Sequence, residues 1–220
     1  MKIEIHRDSE TTPWTYADLD LRQKQILEEV SAGGEGCLVF SEVAPVVTLG
    51  YRRTVGDLLL SREELSTRGI SVLEVHRGGR ATSHGPGQWV VFMIDRLERL
   101  TGDRKGVRRF IEKLSGAALE VCLEFFPLAE IREGAEAGVW TENGARGAKL
   151  AAFGVQITNG ITQHGISLNV FPTPSSFYGI RPCGLELPVG FLHAEVNGNE
   201  QASFTLVRSR LEAAILKAFQ

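Results

Sequence analysis

The sequence has few cysteines and no long apolar segment. Its 220 residues include three cysteines, Cys37, Cys122 and Cys183, none of them in a CxxC pair. This odd, small number argues against a disulfide framework and suits free thiols in a reducing compartment. No apolar run approaches the roughly 20 residues that span a bilayer, and the start, MKIEIHRDSE, lacks the apolar core of a signal peptide. We therefore expect a cytoplasmic protein without a membrane partner.

Strong net charge and the common phosphate-binding motifs are also missing. The net charge of −3 at pH 7 gives no electrostatic reason to expect a nucleic-acid partner. The glycine-rich stretch RGGRATSHGPGQ, residues 77–88, has neither the Gly-Lys-Ser/Thr ending of a P-loop nor the GxGxxG of dinucleotide sites. His84 could ligate a metal together with His76 or His164, but no close ligand spacing completes a zinc set. We expect no metal and no cofactor, and a pocket histidine that hydrogen-bonds a carbonyl.

The spacing of the apolar residues predicts an α/β (α+β) fold in a single domain covering residues 1–220, because no linker or repeat interrupts the chain. Strands are indicated at residues 2–7, 37–40, 46–49, 71–76, 89–94, 138–141, 148–157 and 161–170. Helices are indicated at residues 16–30, 107–122 and 205–219, the second with Ile111 on its apolar stripe. Ser61 and Glu64 fit a capping box, and Asn159-Gly160 fits a hairpin turn. These elements predict a mixed, partly antiparallel sheet with packed helices.

The three cysteines differ in their surroundings. Cys37 opens an apolar strand and Cys122 continues a helical stripe, so both are expected in the core. Cys183 stands among loop residues in RPCGL. It could be a buried loop thiol or a nucleophile, which would need a nearby cation to favour the thiolate. The candidate cations are Arg181, Lys149 and His164.

Lys149 and the glycine-rich stretch each allow two interpretations. Lys149 begins an apolar strand with small neighbours, LAAFGV, and could reach water from the strand end or carry protons in a pocket. Residues 77–88 could be a difficult turn, or a loop whose backbone approaches a ligand closely. The donors Arg77, Thr82, His84 and Gln88 in that stretch favour the ligand-binding interpretation.

Three motifs, RGGRATSHGPGQ, GAKLAAFGVQITNGITQHGISLNV and RPCGL, together resemble the lipoyl(octanoyl) transferases, octanoyl-acyl-carrier-protein:protein N-octanoyltransferases of lipoate biosynthesis. The similarity runs from about Val46, in PVVTLGYRR, to about Leu185. It implies the biotin/lipoate protein ligase fold and a catalytic pair of Cys183 and Lys149. The acyl-binding residues that it implies are Arg77, Gly78, Gly79, Arg80, Ala81, Thr82, Ser83, His84, Ala152, Phe153, Gly154, Gly165, Ile166 and Ser167.

The resemblance also implies a reaction. Lys149 would lower the pKa of Cys183 and accept its proton, and the thiolate would attack the thioester of octanoyl-acyl carrier protein. Backbone N–H groups of the glycine-bearing loops would hold the oxyanion. The acyl group would then pass to a lysine ε-amine of a lipoyl domain, in a 2-oxoacid dehydrogenase or the glycine cleavage H protein. We expect a monomer that needs no ATP.

The chain departs from the resemblance after the cysteine. The family has a Gly-Val-Thr-Ser-Leu-like segment there, where this chain reads PVGFLH at residues 188–193. Three other functions remain open at this point: an ATP-dependent lipoate or biotin ligase, an amidotransferase moving octanoyl between lipoyl proteins, and a non-catalytic module that binds acyl carrier protein or lipoyl domains.

Overall fold

Two β-sheets and five α-helices make up the computed structural model, which describes residues 1–9, 11–141, 147–182, 188–192 and 200–220. The strands are β1 (Lys2–Arg7), β2 (Cys37–Glu42), β3 (Val46–Leu49), β4 (Ser71–Glu74), β5 (Ala81–His84), β6 (Gln88–Ile94), β7 (Glu130–Arg132), β8 (Gly138–Trp140), β9 (Lys149–Thr158) and β10 (Ile161–Asn169). The helices are α1 (Tyr16–Ser31), α2 (Arg62–Ser66), α3 (Leu97–Thr101), α4 (Val107–Leu123) and α5 (Glu200–Ala218). The large sheet has the order β1-β2-β6-β10-β9-β8-β7, and the small sheet β4-β3-β5. The expected mixed α/β fold is confirmed.

Local sequence signals start and join several of these elements. Ser61 caps α2, with Glu64 returning the reciprocal hydrogen bond of a capping box. Asn159 and Gly160 turn β9 into β10 with φ angles of 51° and 75°, and the two strands pair antiparallel. Glycine and asparagine accept positive φ with little strain, so this turn also fixes the register of the hairpin. Both predictions are confirmed.

Strand β6 lies inside the large sheet, between β2 and β10, and all seven of its residues are buried. Its side chains alternate between two hydrophobic clusters, as the two-residue period of a strand requires. Trp89, Val91 and Met93 pack with the buried faces of α4 and α5. Val90, Phe92 and Ile94 pack with α1 on the other face. The strand is therefore covered on both sides, as its continuous apolar sequence predicts.

The main differences from the sequence prediction concern four elements, β5, α4, α3 and β7. Residues 81–84 form strand β5, which pairs with β3 and creates the second sheet. On α4, Ile111 was expected on the buried face but is 37% exposed, whereas Ala117, which was not expected there, is buried. Helix α3 and strand β7 were not predicted, because both are short and carry no strong periodicity. Cys37 and Cys122 are buried, as expected, and burial raises the pKa of each thiol to about 12.

Candidate active site

Two adjoining cavities lie between the large sheet and the small one. Lys149, Trp140 and Asn169 line the first cavity. Residues of β6, β9 and β10 line the second, together with Arg77, Gly79, Arg80, Thr82 and His84. Thr82, Ala152 and Ser167 line both cavities, so the two meet at these residues. We call the combined space the trough.

Small residues form the floor of the trough in two successive cross-strand pairs. Ala152 pairs with Ser167, and Gly154 pairs with Gly165. Side chains on one face of paired strands are close neighbours, so pairs this small leave a depression in the sheet surface. Gly165 has a second reason to be glycine, since a Cβ there would lie 2.3 Å from the carbonyl oxygen of Val91 on β6.

Lys149 reaches the trough because of a β-bulge. Trp140 of β8 pairs with Lys149 while Val139 pairs with Ala151, so Leu150 is an extra residue in β9. A bulge changes the face on which the preceding side chain lies. Leu150 and Ala151 accordingly both belong to the core below the sheet, whereas Lys149 and Ala152 both line the first cavity.

The Lys149 side chain is largely enclosed, with 8% of the residue exposed. Its Nζ donates to the carbonyl oxygen of Ala137 at 3.0 Å and lies 4.9 Å from the centroid of the Trp140 ring. Both contacts suit a cation. Of the two interpretations that the sequence leaves open, the structure has Lys149 in a pocket and not at a solvent-exposed strand end.

Cys183, the proposed nucleophile, lies outside the described residues. Pro182, directly before it in the chain, lines the first cavity together with Lys149. The segment after the cysteine returns to the same cavity at Pro188 and Val189. It is tied to β9, because Lys149 N–H donates to the Pro188 carbonyl and Gly190 N–H donates to the Lys149 carbonyl, both at 2.9 Å.

The Arg77-Gly78-Gly79 turn covers the second cavity beside β9. The Gly78 N–H donates to the carbonyl of Val155 at 3.3 Å. A Cβ on Gly154 would lie 3.1 Å from Arg77 Cδ, so glycine at 154 permits this close approach. The Arg77 guanidinium is buried and donates to the carbonyl and hydroxyl oxygens of Thr48. The turn is thus held against both sheets.

Most of the acyl-binding residues implied by the resemblance come together around the trough. Those that line it are Arg77, Gly79, Arg80, Thr82, His84, Ala152, Phe153, Gly154, Gly165, Ile166 and Ser167. Three do not line it. Gly78 contacts β9 through its backbone, Ala81 packs in the core of the small sheet, and the Ser83 carbonyl accepts a hydrogen bond from Gln88.

Aromatic side chains at the second cavity include two that the sequence did not single out, Tyr16 and Phe92. Tyr16 stacks on His84 with 5.3 Å between ring centroids, and His164 meets Phe92 edge-on at 5.0 Å. Burial lowers the pKa of His84 to about 3 and that of His164 to about 4, so both rings are neutral at pH 7. The only sequence signal for Tyr16 is its place at the start of a helix.

A chain of buried amides connects the two cavities. His84 Nδ1 contacts Gln88 Oε1 at 2.7 Å, as expected of a pocket histidine, and Gln88 Nε2 donates to Asn169 Oδ1 at 2.8 Å. Asn169 Nδ2 donates to the carbonyls of Lys149 at 3.2 Å and Gly190 at 3.1 Å. Asn169 therefore joins β10 to the strand of Lys149 and to the segment that follows Cys183.

The described part of the chain has neither a cluster of metal-ligating residues nor a helix that could span a membrane. No group of three or more His, Cys, Asp or Glu residues there could hold a metal ion. Within the same residues, no helix is long and apolar enough to cross a membrane.

Comparisons with known proteins identify the family. The model of the lipoyl protein ligase A/B catalytic domain matches residues 17–216. A protein named octanoyltransferase from Magnetococcus marinus is 34% identical over 220 residues, covering 99% of this chain and 92% of its own. A crystal structure of lipoate-protein ligase A bound with ATP has a TM-score of 0.70 at 13% identity, covering 99% of this chain and 84% of that one. A bi-partite lipoate protein ligase from Thermoplasma acidophilum, studied with its E2 lipoyl domain, has a TM-score of 0.60 at 14% identity, with coverages of 99% and 81%. The chain belongs to the family of lipoyl protein ligase A/B catalytic domains.

Proposed function

We propose that the protein is an acyltransferase that moves an octanoyl group from octanoyl-acyl carrier protein to a lysine of a lipoyl domain, through a thioester on Cys183. The observation that carries this proposal is the first cavity, where buried Lys149 and Pro182, the neighbour of Cys183, line one end of a trough floored by small residues. The name of the Magnetococcus relative supports octanoyl as the acyl group.

The first half-reaction loads the enzyme. Lys149 accepts the proton of the Cys183 thiol, and the thiolate attacks the carbonyl carbon of the carrier thioester. The carrier thiolate leaves and takes the proton back from Lys149. The Ala137 carbonyl and the Trp140 ring support Lys149 while it carries the extra proton.

The second half-reaction transfers the acyl group from Cys183 to the acceptor lysine. The ε-amine of the acceptor lysine attacks the acyl-cysteine carbonyl, an amide bond forms, and the Cys183 thiolate leaves. Lys149 accepts the proton lost by the amine. Each thioester carbonyl becomes an oxyanion during attack, and backbone N–H groups of the glycine-bearing segments stabilise it. The acceptor is a lipoyl domain of a 2-oxoacid dehydrogenase or of the glycine cleavage H protein.

The proposal is tested by transfer from octanoyl-acyl carrier protein to an apo lipoyl domain without ATP. Removing a group that moves the proton in both steps costs about a hundred-fold or more in rate. Lys149→Met is therefore expected to lose at least that much, whereas Lys217→Met, on the exposed face of α5, keeps the wild-type rate. Transfer that requires ATP and releases pyrophosphate would instead identify a ligase. Wild-type activity in Lys149→Met would refute the role of Lys149.

A further inference from the structure

Four aromatic side chains close the end of the trough away from Lys149. Tyr16, His84, Phe92 and His164 all line the second cavity, and none of them lines the first. They come from four separate elements, α1, β5, β6 and β10. We call this group the aromatic wall.

Contacts between its rings hold the aromatic wall in place. Tyr16 stacks on His84 and forms a T-shaped pair with Phe92, with 6.0 Å between centroids. Phe92 forms a second T-shaped pair with His164. Such ring pairs each add to the stability of a buried cluster. All four residues are buried. A ligand that reaches the wall thus meets packed rings.

The distance along β10 limits the length of a chain lying in the trough. Asn169 lines the first cavity, and Gly165, four residues earlier, lines the second beside Phe92. At about 3.3 Å per residue these two positions are roughly 13 Å apart. An extended acyl chain of medium length fits this span, whereas a much longer one meets the wall before its carbonyl reaches Lys149.

We infer that the aromatic wall, with Phe92 at its centre, sets the maximum length of the acyl chain that the protein accepts. This inference rests on the proposed function for its substrate class, a straight-chain saturated acyl group. Phe92 packs beside the Gly154–Gly165 pair, where the distal carbons of the chain would lie. Shortening its side chain extends the trough and leaves the Lys149 end unchanged.

Binding of free fatty acids tests the inference without requiring any acyl transfer. Hexanoate, octanoate, decanoate and dodecanoate are titrated by calorimetry into wild type, Phe92→Leu and the matched control Phe40→Leu. Phe40 is fully buried but packs on the opposite face of the sheet against Trp89. Burial of two methylenes changes affinity by about ten-fold. We expect Phe92→Leu to raise the affinity for decanoate relative to octanoate by about that factor, and Phe40→Leu to leave the ratio at its wild-type value.

Each result bears on one of the two proposals. A ratio that stays the same in Phe92→Leu, with wild-type near-ultraviolet circular dichroism, overturns the wall as the determinant of length, and so does an equal shift in Phe40→Leu. The same length profile is then measured for transfer from acyl-carrier-protein thioesters to the lipoyl domain. If the acids bind with the expected profile but no acyl group is transferred, the wall stands and the proposed function fails.

Discussion

Replacing Asn169 by leucine removes three of the hydrogen bonds that join β10 to β6, β9 and the segment around Gly190. The change removes one hydrogen bond accepted from Gln88 and two donated to the carbonyls of Lys149 and Gly190. A neutral hydrogen bond contributes about 0.5–1.5 kcal/mol to stability, which gives roughly 1.5–4.5 kcal/mol for the three. The lower end applies, because Gln88 still reaches the Ser83 carbonyl and the Lys149 carbonyl still accepts from the Gly190 N–H.

Asn169→Asp is a sharper version of the same change. The two shapes are nearly identical, but the carboxylate cannot donate, and an oxygen replaces the nitrogen that faced two carbonyl oxygens. We expect a greater loss than in Asn169→Leu, because a buried carboxylate oxygen facing two carbonyl oxygens costs more than a missing hydrogen bond. Asn159→Asp, at the exposed hairpin turn, controls for the added charge and should change stability by less than about 0.5 kcal/mol.

Urea unfolding followed by tryptophan fluorescence measures these free energies of unfolding. Octanoyl transfer should fall in Asn169→Leu even under conditions where the variant is fully folded, since Lys149 and the segment around Gly190 lose their common anchor. An Asn169→Leu protein that unfolds within about 0.5 kcal/mol of wild type would refute the reasoning. So would an Asn169→Asp protein more stable than the leucine variant.

Three further predictions follow from the buried residues. Gly165→Ala should lower the melting temperature by several degrees, measured by calorimetry, because the new Cβ would meet a carbonyl oxygen of β6 at 2.3 Å. The lowered pKa values of His84 and His164 mean that the unfolded chain binds more protons below pH 6.5. The free energy of unfolding is therefore highest above about pH 6.5 and falls with decreasing pH, by about 2 kcal/mol per histidine at pH 5. In urea unfolding, His164→Leu should show a smaller dependence of the free energy of unfolding on pH than wild type does. Cys37 and Cys122 should resist a thiol reagent in the native protein and react only after unfolding, as measured by mass spectrometry.

Signals between near neighbours in the chain predicted the local structure. The Ser61–Glu64 box and the Asn159-Gly160 turn each depend on residues a few positions apart, so the sequence specifies them directly. Strand β5 could not be found in this way. Its sequence, ATSH, shows no apolar alternation of the kind that marks a strand, and it becomes a strand because Thr48 and its neighbours on β3 pair with it.

Residues of the candidate site could be predicted where they belong to a sequence motif. Residues that the fold alone brings to the site could not be predicted. Lys149 was found through its motif, but its position in the cavity depends on the bulge at Leu150, which follows from pairing with β8. Tyr16 and Phe92 resemble ordinary core residues in the sequence. They become part of the trough because α1 packs across β6 and β10, a contact between distant parts of the chain.

The most direct test of the central claim is the intact mass of the protein after incubation with octanoyl-acyl carrier protein alone. The account predicts a mass gain of one octanoyl group, which hydroxylamine removes as expected of a thioester and which apo lipoyl domain discharges without ATP. The gain should be absent in Cys183→Ser and strongly slowed in Lys149→Met. An unchanged mass gain in Cys183→Ser, or acyl transfer by wild type without any acylated enzyme under single-turnover conditions, would contradict it.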